Sequence, residues 1–188
     1  MKKVLSMLCL AILVAFANGQ TPAPSITPFP VPVDPITKLI AYEGVFDVKG
    51  VAADELYYRI IDWFQSYYKN PTEVIRENDS INHKMVGKPR YRLSNTPDKQ
   101  SVRSDAGISQ YTITVAAKDG RFKYELTEFT WKQQSTYPCE RWLDTKATSY
   151  APAYNDYLKQ LDKTAIDAIA SLKKTISEVK PVKNKDNW

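Results

Sequence analysis

The sequence predicts an α+β domain of two layers. An antiparallel sheet of about five strands carries two helices on one face, in the order β-α-β-β-β-β-α. Three observations predict it. Segments whose apolar residues share one parity alternate with two segments of helical period. Asp119-Gly120 joins two alternating runs as a tight hairpin. Each helix has one apolar stripe and each strand one apolar face, so one buried layer satisfies both and leaves the other sheet face wet.

The first strand is Ala41–Val48, where Tyr42, Phe46 and Val48 oppose Glu43 and Asp47. From Ala53 to Tyr68 the period changes. Leu56, Ile60, Trp63, Phe64 and Tyr67 recur at steps of three and four, while Glu55, Arg59, Asp62 and Gln65 fall largely elsewhere. Asp54 and Glu55 suit the positive end of this helix, and Asn70-Pro71 stops it. Glu73–Arg76 and Ile81–Lys88 read as two short strands around the turn-forming Asn78-Asp79-Ser80. Lys88 to Ala106 is weakly patterned, with Tyr91 and Leu93 its main anchors, and reads as strand end and long loop.

The clearest hairpin follows. Tyr111, Ile113, Val115 and Ala117 share one parity before the Asp119-Gly120 turn, which predicts type I′. Phe122, Tyr124 and Leu126 share one parity after it. Phe129 and Trp131 are out of register with Leu126. A bulge near Thr127-Glu128 returns them to the core; without one they sit on the outer face. Residues 132–152 form a loop, and a long amphipathic helix closes the domain. Its stripe is Tyr154, Leu158, Leu161, Ala165, Ile169, Leu172 and Ile176.

Ahead of this domain stands MKKVLSMLCLAILVAFANGQ. A basic n-region, an apolar run and small residues at Ala15, Ala17 and Gly19 make a secretory signal peptide over 1–19. Cleavage after Ala17 or Gly19 fits; we take the second, which makes Gln20 the first mature residue. The product is expected outside the cytoplasm, periplasmic or extracellular. Cys9 lies inside the apolar run, where a lipid anchor does not attach. The later chain has no segment long enough to span a bilayer. Residues 20–35 include TPAPSITPFPVPVDP, with six of the twelve prolines, and read as an extended linker. The α+β domain occupies 36–180, and 181–188 (PVKNKDNW) is a tail.

The chain carries 26 Lys+Arg against 21 Asp+Glu. Without Lys2 and Lys3 the balance is 24 to 21, a net charge of +3, which argues weakly for any polyanionic partner. Cys139 is then the lone cysteine, so the fold rests on its core rather than on a disulfide.

ADELYYRIIDWFQSYYKNPTEVI, INHKMVGK and KDGRFKYELTEFTW together resemble the DUF4468 family. The resemblance spans roughly Ala41 to Glu178. It implies a secreted protein of Bacteroidetes type, of unknown function, with a TBP-like fold. It brings no catalytic residue with it.

The residues offer little chemistry of their own. A zinc site wants four Cys or His ligands, and the mature chain has His83 and Cys139 alone. No metal, cofactor or catalytic residue is assigned. A Cys139–His83 pair lacks a nucleophile motif, and Glu140 beside the thiol raises its pKa. The outer sheet parity mixes Glu43, Asp47, Arg121, Lys123 and Glu125, unlike a duplex-binding face, so nucleic acid is not expected as a partner. Aromatics are the remaining lead: twelve Tyr, six Phe and four Trp. Phe129, Trp131, Tyr137 and Trp142 cluster beside Arg141. They read either as core packing or as an exposed patch that binds a glycan or an envelope protein. The functional expectation is an exported, non-enzymatic binding module. A periplasmic carrier of a small apolar or glycan ligand is the alternative, and a hydrolase with an unrecognised site comes third.

Overall fold

The computed structural model describes residues 31–96 and 104–178. The expected signal peptide, most of the Pro-rich linker and the tail 181–188 lie outside the described residues. In chain order the elements are β1 (Tyr42–Asp47), α1 (Ala53–Tyr67), α2 (Pro71–Val74), β2 (Ile75–Asp79), β3 (Lys84–Gly87), β4 (Arg90–Ser94), β5 (Asp105–Lys118), β6 (Arg121–Lys132), β7 (Thr136–Pro138), a 3₁₀ turn (Cys139–Leu143) and α3 (Tyr154–Ser177).

The β5–β6 hairpin is the spine of one antiparallel sheet. β3 and β4 lie end to end along β5, and β1 and β7 end to end along β6. β2 then pairs with β3 at one edge. Among the described residues the sheet has seven strands, where about five are expected. The additions are β4 and β7, both inside segments read as loops. β4 is only Arg90–Ser94, with arginines on its outward parity, and β7 is three residues long. Such short pieces give a weak period-two signal and exist because a long partner strand pairs with them.

The inward side chains of the sheet and the stripes of α1 and α3 merge into one core. It includes Met85, Ile113, Val115, Phe122 and Leu126 from the sheet, Leu56, Ile60 and Phe64 from α1, and Leu158, Leu161 and Leu172 from α3. Both helices therefore cover one face, as the sequence predicts. Trp63 ties them together. It is fully buried, stacks on Tyr67 at 4.9 Å, and donates through Nε1 to Ser171 Oγ of α3 at 3.1 Å.

The packed core reaches back from Ile36 to Val31. Val31 is 1% exposed, Val33 bridges to Ile40, and the Ile40 N–H donates to Glu140 Oε1 at 2.9 Å. The end of the expected linker thus belongs to the domain, because its valines alternate with the prolines and can pack inward.

The Asp119-Gly120 turn is not type I′. Gly120 has φ +73°, but Asp119 is absent from the left-handed region that type I′ requires at both positions. A tertiary contact holds the turn instead. Asp119 Oδ1 accepts the Ala53 N–H at 2.8 Å, and the Gly120 N–H donates to the Val51 carbonyl at 2.9 Å. Helix α1 has no cap from its own Ala52, so Asp119 supplies one from the hairpin.

Two stability outcomes follow from these contacts. Trp63→Ala should cost about 3–5 kcal/mol, from lost burial and the cavity it leaves, as read by urea unfolding. Asp119→Ala should cost about 1 kcal/mol, the usual worth of an N-cap. An unchanged unfolding midpoint for Asp119→Ala would show that the Ala53 amide finds water equally well.

Candidate functional site

Residues paired directly across antiparallel strands share a face. The outer face therefore follows from the register. One row is Arg90, Gln110 and Thr130; the next is Arg92, Ile108, Lys132 and Thr136. These two rows line a groove of about 500 Å³ that crosses β4, β5, β6 and β7. Asp105, Gly107 and Gln133 close one end of it.

Gly107 has φ +103°, and a Cβ there would lie 2.6 Å from the Lys132 carbonyl oxygen and 2.9 Å from Trp131 Nε1. Only glycine allows β5 to come this close to β6. Asp105 organises the end of the groove. Its carboxylate accepts the Gly107 N–H at 2.8 Å and a hydrogen bond from Arg92 Nη1. The Gly107 amide is the main cause holding the Asp105 carboxyl below its ordinary pKa.

Further along the face stands the bulge. Gln110 pairs with Thr130 and Thr112 with Thr127, so Tyr111 alone faces Glu128 and Phe129. Glu128 takes φ +53°, an unusual conformation for a side-chain-bearing residue. Its carboxylate accepts from Thr112 Oγ1 at 2.6 Å and from Lys88 Nζ at 3.1 Å. Those two contacts, the hydroxyl first, lower its pKa.

Two further cations on the face are paired across strands, Lys84 with Glu77 at 2.7 Å and Lys123 with Glu43 at 3.7 Å. Val45 stands 60% exposed, in a shallow cleft with Lys118, Arg121 and Lys123.

The five aromatic-cluster residues do not form an exposed patch. The bulge turns Phe129 and Trp131 inward, to 1% and 8% exposure, and Trp142 of the 3₁₀ turn is fully buried against them. Phe129 stacks on Tyr111 at 5.4 Å; Trp131 meets Trp142 edge-on at 5.6 Å and donates through Nε1 to the Ala106 carbonyl at 2.8 Å. These three are core. Tyr137 is half-buried on β7, and the exposed Arg141 lies over its ring at 4.3 Å. Tyr137 alone of the five lines a surface cleft, of about 460 Å³, with Gly107 and Gln133.

Cys139 is fully buried, and burial pushes its thiol pKa well up, with Glu140 adding to the effect. His83 stands in the β2–β3 turn rather than in a strand, with φ +49°. Its Nε2 donates to Asp54 Oδ1 at 2.6 Å, and its ring meets Tyr57 edge-on. The thiol and the imidazole thus have different neighbours. Among the described residues no group of three His, Cys, Asp or Glu is placed to hold a metal ion. None of their helices is long and apolar enough to cross a membrane.

The residues that sequence reasoning missed are Arg90, Arg92, Gln110, Thr130 and Lys132. A signal for β4 existed, since Arg90 and Arg92 alternate with Tyr91 and Leu93. The groove itself had none, because its walls come from four strands far apart in the chain.

A family model described as a domain of unknown function (DUF4468) with TBP-like fold matches residues 42–132. The match runs from β1 to the end of β6 and so includes most of the groove. The chain is similar in fold to a DUF4468 family protein from Bacteroides ovatus, at TM-score 0.63 and 16% identity, covering 81% of this chain and 94% of that one. It is also similar to a TBP-like protein from Parabacteroides distasonis, at TM-score 0.66 and 10% identity, covering 80% of this chain and 99% of that one. No curated protein matches it. Sequence pattern, topology and these likenesses agree: residues 42–132 are a DUF4468 domain, a domain of unknown function with a TBP-like fold.

Proposed function

We propose that the protein is an exported, non-enzymatic binding module whose binding surface is the outer face of the sheet. The observation that carries this reading is the one-sided placement of the helices. Both spend their apolar stripes on one sheet face and leave a grooved, polar face of paired charges to solvent. A sheet face with no structural load is where side chains are free to serve recognition.

The carrier alternative needs room between helices and sheet. Trp63, Phe64, Phe122, Leu126 and Phe129 fill that layer at 0–1% exposure. A hydrolase built on Cys139 would need an accessible thiolate, and burial works against both access and ionisation. A duplex partner would meet Glu77, Glu43 and Glu128 set among the cations, which weakens the extended positive field that a duplex backbone needs. Export rests on residues 1–20 and their signal-peptide pattern.

Intact mass of the secreted protein tests the address. A chain beginning near Gln20 is expected; one that retains Met1–Gly19 would overturn export. The surface is tested by co-sedimentation with envelope fragments of Bacteroides ovatus. Thr114→Cys, on the outer face, and Lys163→Cys, on α3, are each capped with a bulky maleimide. Native Cys139 is buried and does not compete for the label. Capping at position 114 should abolish sedimentation and capping at position 163 should leave it intact. The reverse pattern, or no sedimentation of the unmodified chain, would sink the reading.

A further inference from the structure

Three neighbouring clefts share lining residues and follow one another around the β4 edge. A cleft of about 330 Å³ under the end of α1 is walled by Tyr67 and Tyr68 and shares Arg90 with the outer-face groove. That groove shares Asp105, Gly107 and Gln133 with the cleft that Tyr137 lines. We infer that this path binds an acidic oligosaccharide, its charged groups meeting Arg90, Arg92 and Lys132 and its rings resting on Tyr67 and Tyr137. The inference rests on the outer face being the binding surface, and it names the ligand class.

Charge is the first argument. Lys69 at one end and Lys132 in the middle have no acidic partner among the described residues. Arg90 is held loosely, 3.6 Å from Glu73, and 54% of its side chain is exposed. Arg92 is fixed by Asp105, which the Gly107 amide holds in turn. With Nη1 given to Asp105, the remaining N–H groups of Arg92 can donate to a ligand carboxylate or sulfate.

The floor is the second argument. Gln110, Thr130 and Thr136 present amide and hydroxyl groups with no side-chain partner among the described residues, and such groups match sugar hydroxyls. Aromatic rings stand at the two ends. Tyr67 is braced by Trp63, and Tyr137 by Trp131 at 6.3 Å. Tyr67, braced and partly exposed, is a stacking platform that needs no reordering on binding, whereas Arg141 already lies over the Tyr137 ring at 4.3 Å, so ring and guanidinium together form that end.

Direction is the third. The groove crosses the strands instead of following an edge, so a peptide cannot add to the sheet there through its backbone. Its floor offers a single aliphatic side chain, Ile108, where an extended peptide needs several apolar pockets.

The test is calorimetric titration of the purified chain with hexagalacturonate and a heparin hexasaccharide. Maltohexaose, a hexaglutamate peptide and a six-nucleotide oligothymidylate serve as controls. At least one acidic saccharide should bind, with every control roughly tenfold weaker or more. Arg90→Gln and Lys132→Gln should each weaken binding about fivefold to tenfold, as loss of one charge-assisted contact at an exposed site entails. Lys174→Gln, in the last turn of α3, should bind as the unmodified chain does. Amide shifts on titration should map to Arg90, Gln110 and Lys132. Equal binding of hexaglutamate or oligothymidylate would overturn the saccharide inference and leave an anion-binding outer face. Failure of both acidic saccharides would overturn it too, while outer-face sedimentation with envelope fragments would still stand. Shifts confined to α3 would overturn both.

Discussion

A strand buries every second side chain, yet β6 must bury Phe122, Tyr124 and Leu126 on one parity and Phe129 and Trp131 on the other. One extra residue resolves the conflict. The bulge at Glu128 resets the alternation halfway along the strand, with Tyr111 of β5 facing two residues of β6. Much of the molecule depends on that reset. It delivers Phe129 to Tyr111 and Trp131 to Trp142, Tyr154 and Tyr157, which seats the 3₁₀ turn and the start of α3. It also points Thr130 and Lys132 outward, where they build the groove. Core and candidate site are two sides of one irregularity.

The left-handed backbone at Glu128 stores a cost that its contacts offset. Its side chain, carried outward, is met by Thr112 and Lys88. Lys88 belongs to the joint between β3 and β4, where the Pro89 carbonyl accepts the Tyr111 amide at 3.3 Å. The break between two short strands along β5 thus lies opposite the bulge in β6. Two clefts border Arg90 beside this joint.

The TBP-like topology leaves one sheet face bare, but bareness does not choose a ligand. The side chains do. Outward cations on this face are largely answered by carboxylates on neighbouring strands, which lowers the long-range field a duplex would feel. Among the described residues Lys118, Arg121 and Lys132 on this face have no carboxylate partner, and of these Lys132, with the loosely held Arg90, stands among hydroxyl and amide groups. The two structural relatives, at 16% and 10% identity, share the scaffold. The groove chemistry belongs to the residues of this chain.

Local patterning determined both helices, the β5–β6 hairpin and the single buried layer, and it located the parity slip before Phe129 without deciding between a bulge and an outward pair, because each of these is written in residues a few positions apart. Trp63 and Leu161 were legible as core for the same reason. Tertiary structure decided what local pattern leaves open. It showed that the reset turns Phe129 and Trp131 inward, so an apparent aromatic patch is packing. It drew Val31 into the core and gave α1 its cap from Asp119, since an orphan amide accepts any carboxylate the fold brings near. It alone made the groove. Arg90, Gln110, Thr130 and Thr136 become neighbours only through strand pairing, and pairing is fixed by register across the sheet, which no stretch of sequence contains by itself.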